Sequence, residues 1–418
     1  MSNKKLKLLF IPFPLLSHNL RCVQIANFLK TDFEIAFVGS GGYTNLINNH
    51  GYNTIDEYNI EINSILNKIE SFDFSWINTT TIEKIILSHL SAIEAFNPDA
   101  VIGDAVPSLR ITLEYCKVPY ISILNSYMSN YYKCARPVPP IHKAFQYQEK
   151  LPEDVWNKIL RFAERLSMKQ VHKPFNIIRK KYKLDAVKGF LDEYEGNLNL
   201  LCDFNYLFPL KKLPQNFKEI GGLYYFDNDN ELEVIEFINQ NKHRKTILVS
   251  TGSSGSKNLL YFIDNTYFEK YNIVVSGKNV PIKKNNIIYK EFIHLNSIID
   301  KIDLIISHGG NGIIYQALSN AIPHIMIPSI FEQYWNATRI EKLSLGQIHN
   351  IFDGIEDLIS KIEYNINNRN NKALQEISLK LNSNIENQGN KVLQIIKGFL
   401  NDYYENLLNT NPRSKLVH

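Results

Sequence analysis

Cysteine is scarce in this chain: four in 418 residues, at positions 22, 116, 134 and 202. They are far apart and form no C-x-x-C pair. That excludes a disulfide framework and a structural zinc site, and it fits a reducing, cytoplasmic setting. Long apolar runs are also missing. None approaches the roughly 20 residues of a membrane-crossing helix, so no transmembrane segment is expected. The apolar start, Leu8 to Leu16, carries two prolines and no small-residue cleavage site, so it does not read as a signal peptide. Charge of one sign is not concentrated: the net charge is +4 and no Lys/Arg run recurs. No nucleic-acid partner is expected. The string G-x-G-x-x-G is absent from both halves, which argues against a dinucleotide-dependent oxidoreductase.

What is present is an ordinary globular composition, 44% hydrophobic and 21% charged, in a chain long enough for two or three cores. "KLLFIPF" reads as a buried strand. The amphipathic helix "NLRCVQIANFLK" and the strand "FEIAFVG" follow. "DAVIGDA" and "PYISIL" are further strands around the helix "SLRITLEYC". From about Ser126 to Lys183 the rhythm breaks into a long, helical, aromatic stretch. "LNLLCDF" is again a strand. After a polar linker near 227–245 the alternation restarts with "TILVSTG", a helix around 257–268, "NIVVSG", "IIYKEFI", "LIIS" and "PHIMIPS". Repeated β-loop-α units predict parallel sheets covered by helices. Two such halves predict two Rossmann-like, doubly wound α/β domains facing a cleft, over residues 1–228 and 240–385, with a final helix at 386–405 returning to the first. Ligands of such folds bind outside the carboxyl ends of the strands.

The stretch 307–337, "SHGGNGIIYQALSNAIPHIMIPSIFEQYWNA", carries the strongest signal. A buried strand ends in a glycine turn and opens a helix. Glycines admit a ligand close to the backbone, and the helix start offers unpaired N–H groups. Together they predict an anion site suited to a diphosphate. In the first half, His18 follows the first strand and Asp104 ends another. A neutral histidine can take a proton from an attacking hydroxyl near pH 7, and a carboxylate on its other nitrogen fixes the tautomer.

The 307–337 string resembles the donor signature of the UDP-dependent glycosyltransferases of family 1, whose fold is GT-B. The matching residues are His308-Gly309-Gly310, Gln316, Ala321-Ile322-Pro323, Pro328, Glu332-Gln333 and Asn336-Ala337. The resemblance implies that His308 and the backbone of Gly310, Asn311, Gly312 and Ile313 hold the donor diphosphate. It implies that Gln316 meets the ribose and that Glu332 and Gln333 bond the sugar. Gln316 stands where the family has glutamate, and Ile313 where many members have Ser or Thr. "TILVSTGSSGS" resembles the phosphate-facing loop, with Gly252 and Ser253 at the motif positions. "KEFIHLNSII" occupies the nucleobase segment, with Phe292 as the stacking aromatic beside Ile293. His18 and Asp104 match the family's catalytic pair, with Ser17 in place of the usual glycine.

The implied reaction is inverting transfer of a hexose from a UDP-sugar to a hydroxyl. The nucleotide sugar is a co-substrate, and neither a cofactor nor a metal is expected. Tyr127, Met128, Tyr131 and Phe145 are the expected wall of a bulky, partly apolar acceptor site. The chain is expected to be a monomer or weak dimer. Two alternatives stay open: a nucleotide-sugar-binding protein of this fold without turnover, and a GT-B transferase acting on a lipid acceptor.

Overall fold

The computed structural model describes residues 5–410 apart from 41, 59–64, 66–67, 70, 72, 149, 226–228, 253–256, 278–283 and 370. The first domain is built on β1 (Lys7–Pro12), β2 (Glu34–Ser40), β3 (Asn53–Tyr58), β4 (Ala100–Asp104), β5 (Tyr120–Leu124), β6 (Leu198–Leu201) and β7 (Phe217–Glu219). They form one sheet in the order β3-β2-β1-β4-β5-β6-β7, and each neighbouring pair is parallel. The second domain carries β8 (Thr246–Gly252), β9 (Asn272–Gly277), β10 (Ile287–Lys290), β11 (Leu304–Ser307), β12 (His324–Met326) and β13 (Gln347–Ile348). Their order is β10-β9-β8-β11-β12-β13, again parallel.

Parallel strands covered on both faces have no solvent side. The sequence therefore shows unbroken apolar runs, and β4, β5 and β11 are buried at every position. The covering helices of the first domain are α1 (Leu16–Leu29), α2 (Thr44–Asn49), α3 (Thr79–Phe96), α4 (Leu109–Cys116) and α5 (Glu153–Lys181). Those of the second are α6 (Leu232–Gln240), α7 (Asn311–Ser319), α8 (Phe331–Lys342), α9 (Gly354–Asn367) and α10 (Lys372–Ile385). A last helix, α11 (Gln388–Thr410), buries Val392, Ile396 and Leu400 in the first domain's core beside Leu8, Phe10 and Val23. Gln388 fastens it by donating to the carbonyls of Ile220 and Gly222, both at 3.0 Å.

The expected helix around 257–268 is instead two short 3-10 turns, Lys257–Leu260 and Thr266–Lys270. Asn265 accepts from the Tyr267 N–H at 2.9 Å, a local bond that competes with a continuing α-helix.

Each sheet reverses its winding at one place, between β1 and β4 in the first and between β8 and β11 in the second. The crevices at these two switch points are where a doubly wound sheet offers loops on both sides to a ligand. The two domains meet through a shared apolar cluster. Tyr127, Phe204 and Phe208 of the first pack with Ile314, Tyr315 and Tyr334 of the second.

Candidate functional site

At the first switch point β1 and β4 pair in register, Pro12 opposite Asp104. His18 lies in the first turn of α1 and not in the preceding loop, because nothing after Leu15 interrupts the helix. Its Nδ1 is 2.9 Å from Oδ1 of Asp104. A proton on Nδ1 satisfies the carboxylate and leaves Nε2 as the basic nitrogen. Phe13 sets its ring edge-on to the imidazole, with centroids 5.8 Å apart. Ala105, next to Asp104, has φ of 57°, so the chain turns sharply out of the strand just after the carboxylate.

Sequence reasoning missed Arg21, one helical turn beyond His18. Its guanidinium is buried and forks onto Asp104, Nε to Oδ2 at 2.9 Å and Nη2 to Oδ1 at 2.5 Å. Nη1 donates to Oδ1 of Asn125 at 2.6 Å. His18 and Arg21 thus converge on one oxygen, with Nη2 of Arg21 3.0 Å from Nδ1 of His18. Burial pushes the Asp104 carboxyl up, but Arg21 and His18 outweigh it and hold it below the usual range. The three-residue spacing from His18 was the available signal, since it puts both side chains on one helix face.

At the second switch point β11 pairs with β8, Ser307 opposite Ser250. Gly310 caps α7, whose first N–H groups have no partner within the helix. The glycines make room for His308. A Cβ on Gly252 would sit 2.4 Å from the ring's Cε1, and one on Gly310 would sit 2.6 Å from Nε2. Nδ1 of His308 faces the Ser250 carbonyl at 3.4 Å. Burial holds this imidazole below its usual range, with the Ser250 carbonyl and Glu332 acting the other way. Behind it, Ser307 Oγ accepts from the Gly309 N–H at 3.0 Å and bonds Nε2 of His324 at 2.7 Å, which fixes the turn.

The remaining donor-side residues divide. Gly312 opens onto free space. Phe292 is half-buried, packed edge-on to His294 at 5.0 Å and to Tyr225 at 6.2 Å. Gln316 points its Nε2 at the Tyr225 carbonyl, 3.4 Å away, so it lies in the same corner. Ile293 and Ile313 pack in the second domain's core, leaving their backbones for any contact. Asn311 turns its amide to Asp203 at 2.9 Å. Gln333 turns Oε1 back to the N–H and Oγ of Ser329, at 2.9 and 3.1 Å, and so caps its own helix. Ser253 lies outside the described residues.

The four expected acceptor residues are placed otherwise. Tyr127, Met128 and Phe145 belong to the apolar cluster that joins the domains, and Tyr131 packs against Phe217, with ring centroids 4.9 Å apart. These four side chains are packed within the protein. Tyr127 donates from Oη to Oε1 of Glu332 across the interface at 2.6 Å. A small apolar cavity lies behind Phe13, lined by Trp76, Ile82, Ile85, Val106 and Phe175, and a roomier one lies between Pro139, Pro140 and Ile141 and Ile327, Pro328 and Ser329.

Asp203, just past β6, ties the two switch points together. It accepts from the Ser126 N–H at 2.6 Å and from Asn125 at 3.3 Å in its own domain. It also accepts from Asn311 and Tyr315 of α7, each at 2.9 Å. Burial raises its carboxyl to about 6 against the pull of these donors. Asp203→Ala is expected to cost about 2–4 kcal/mol, because several buried donors lose their acceptor. Urea unfolding measures this, and a loss below about 1 kcal/mol would mean that the donors find other partners.

Among the described residues, His349, Asp353 and Asp357 are close enough to share a metal. The imidazole is already bonded to Tyr261 at 2.7 Å and to Asp357 at 2.8 Å, and Lys361 sits 2.5 Å from the same carboxylate. These bonds account for the cluster without an ion.

Residues 232–393 match the sequence model of the Glycosyltransferase family 28 C-terminal domain. A PGL/p-HBAD biosynthesis glycosyltransferase of Mycobacterium tuberculosis is 25% identical over 287 residues, covering 64% of this chain and 63% of the relative. A PGL/p-HBAD biosynthesis rhamnosyltransferase of Mycobacterium bovis is 22% identical over 302 residues, covering 68% of this chain and 65% of the relative. The chain thus spans less than two thirds of the length of these curated relatives. Among solved structures, the glycotransferase of kitacinnamycin superposes with a TM-score of 0.66 at 13% identity, over 95% of this chain and 99% of that one. The fold, two parallel-sheet α/β domains, is that of the GT-B glycosyltransferases.

Proposed function

We propose that this chain is an inverting glycosyltransferase, moving a hexose from a UDP-sugar to a hydroxyl of a bulky apolar acceptor. The observation that carries the reading is the pairing of the two switch points. A His18–Asp104 pair stands at one, and a glycine turn opening a helix, with His308, stands at the other. Tyr127 and Asp203 hold the two together. The family 28 match over the second half and the names of the relatives support transfer of a sugar.

In this reading Nε2 of His18 takes the acceptor's proton as its oxygen attacks the anomeric carbon. Asp104 holds the ring's tautomer and stabilises the imidazolium that forms. The bond from that carbon to the diphosphate oxygen breaks on the opposite side, which inverts the configuration. The charge of the departing diphosphate meets the first N–H groups of α7. With Nδ1 of His308 turned to the Ser250 carbonyl, its Nε2 donates to a phosphate only when the ring is protonated. An arriving diphosphate favours that proton and opposes the effect of burial. Glu332, with one oxygen taken by Tyr127, offers the other to a sugar hydroxyl. Gln316, the Tyr225 carbonyl and Phe292 form the corner for the nucleoside. The acceptor comes to the side of His18 that carries Nε2, beside the edge-on ring of Phe13.

The test is a mixed library of nucleotide sugars and hydroxyl acceptors incubated with the full chain, with products read by mass spectrometry and linkage by NMR. A hexose adduct of inverted configuration, formed from UDP-sugar, is the expected result. Saturable UDP binding without product from any acceptor would make the chain a nucleotide-sugar binder instead.

A further inference from the structure

The longest helix, α5, is apolar on two faces. Its inner face buries Trp156, Leu160, Phe175 and Ile178. Its outer face carries Val155, Ile159, Phe162 and Leu166, which are 38%, 43%, 61% and 52% exposed. Their spacing of four, three and four residues stacks them into one ridge along the helix. A helix that only covered the sheet would keep such positions polar. The same stretch exposes Lys158, Arg161, Arg165, Lys169 and Lys173. The carboxylates of this stretch are few: Glu164 is paired with Arg136, Asp154 lies 3.6 Å from Lys158, and Glu153 is paired with Lys342, which leaves Arg161, Arg165, Lys169 and Lys173 in excess.

We propose that this ridge docks the first domain on an anionic lipid bilayer, with α5 lying in the plane of the interface. The four apolar side chains enter the boundary between headgroups and acyl chains, and the cations beside them meet lipid phosphates. Charge decides between this and a second copy of the chain. Two ridges meeting face to face would gather both sets of five cations with only the exposed Asp154 of each, 3.6 Å from Lys158, to offset them, whereas an anionic surface supplies the missing counter-charge. The chain as a whole carries only +4, so the helix concentrates positive charge well beyond the average surface. The docking does not depend on the transfer reading.

The experiment is co-sedimentation of the full chain with vesicles of phosphatidylcholine, with and without phosphatidylglycerol. Wild type is expected to sediment with the anionic vesicles and to dissociate as salt rises. Phe162→Ser/Leu166→Ser should reduce that partition by at least about tenfold, and Arg165→Gln/Lys169→Gln by a similar factor. Both pairs are solvent-exposed, and circular dichroism would verify that the helix persists. Wild type staying in solution with anionic vesicles would overturn the proposal. So would sedimentation of either double variant at the wild-type level. A dimer in sedimentation velocity that the Phe162→Ser/Leu166→Ser pair dissolves, with no vesicle binding, would assign the ridge to self-association instead.

Discussion

His18→Ala is expected to lower sugar transfer by roughly a thousand-fold while changing UDP affinity by less than about twofold. The imidazole is the proposed base, and it sits on the first domain, across the interface from the proposed diphosphate turn at Gly310–Gly312. Removing it takes away a proton acceptor but no donor contact. Single-turnover transfer rates and calorimetric UDP titration separate the two effects. A near-normal rate in the variant would remove His18 from the chemistry. A parallel loss of UDP binding would mean that the ring supports the donor site. The expected effect is bounded from above by Arg21. That guanidinium takes both oxygens of Asp104, so the carboxylate has less negative charge to lend an imidazolium than an unshared aspartate would.

Glu193→Ala is expected to cost about 3–5 kcal/mol of stability, read as a lower urea midpoint with an unchanged slope. Glu193 is fully buried and accepts from Nε2 of His172 at 2.8 Å, from Nε of Arg179 at 2.8 Å and from Nη2 of Arg179 at 2.7 Å. Arg179 is the largest fully buried side chain among the described residues, and its remaining carboxylate partner is the half-exposed Glu114 at 2.6 Å. Deleting Glu193 leaves most of that guanidinium buried without compensation, and this is the costly kind of broken pair. Glu193→Gln, which keeps one acceptor, should cost less. A midpoint within experimental error of wild type would show that water enters the space and takes over the bonds.

The same residue sets a pH dependence. Burial pushes the Glu193 carboxyl up, but Arg179 and His172 outweigh it and hold it below its ordinary 4.5. The unfolded chain therefore binds the proton first. Stability from this group is full above about pH 4.5 and is lost as pH falls through the lower folded value. Asp104, held low by Arg21 and His18, acts in the same direction. Below about pH 4.5 wild type should therefore lose stability, and Glu193→Gln should flatten part of that slope, while Asp203, raised to about 6, acts the opposite way as pH first falls through that value.

Strand content was legible because parallel strands buried on both faces need continuous apolar runs, and runs such as "LLFIP" and "DAVIGD" have few other uses. The glycine turn and the helix it opens were legible because they are adjacent in the chain. What the aromatic stretch would pack against was not legible, for the opposite reason. Aromatics at helical spacing show that something will be covered, and the sequence does not say by what. Here the covering is the other domain, so Tyr127 meets Glu332 instead of a ligand. Gln333 was read as a sugar ligand, yet its carbonyl oxygen closes the first turn of its own helix, a local bond available to any Gln three residues into a helix.

By itself the sequence determined two α/β halves and the glycine turn that opens a helix, and its resemblance to a known family pointed to a histidine paired with an aspartate 86 residues away, which the structure brings to 2.9 Å. Periodicity and glycine placement are properties of short segments, and they survive without knowledge of neighbours. Only the tertiary structure decided who shares Asp104, what Tyr127 and Asp203 hold together, where the apolar cavities lie, and that α5 leaves one apolar face uncovered. Each of these depends on which side chains from distant segments arrive at the same point. Burial then fixes the outcome, since a charge or donor taken out of water must find a partner where the fold puts one.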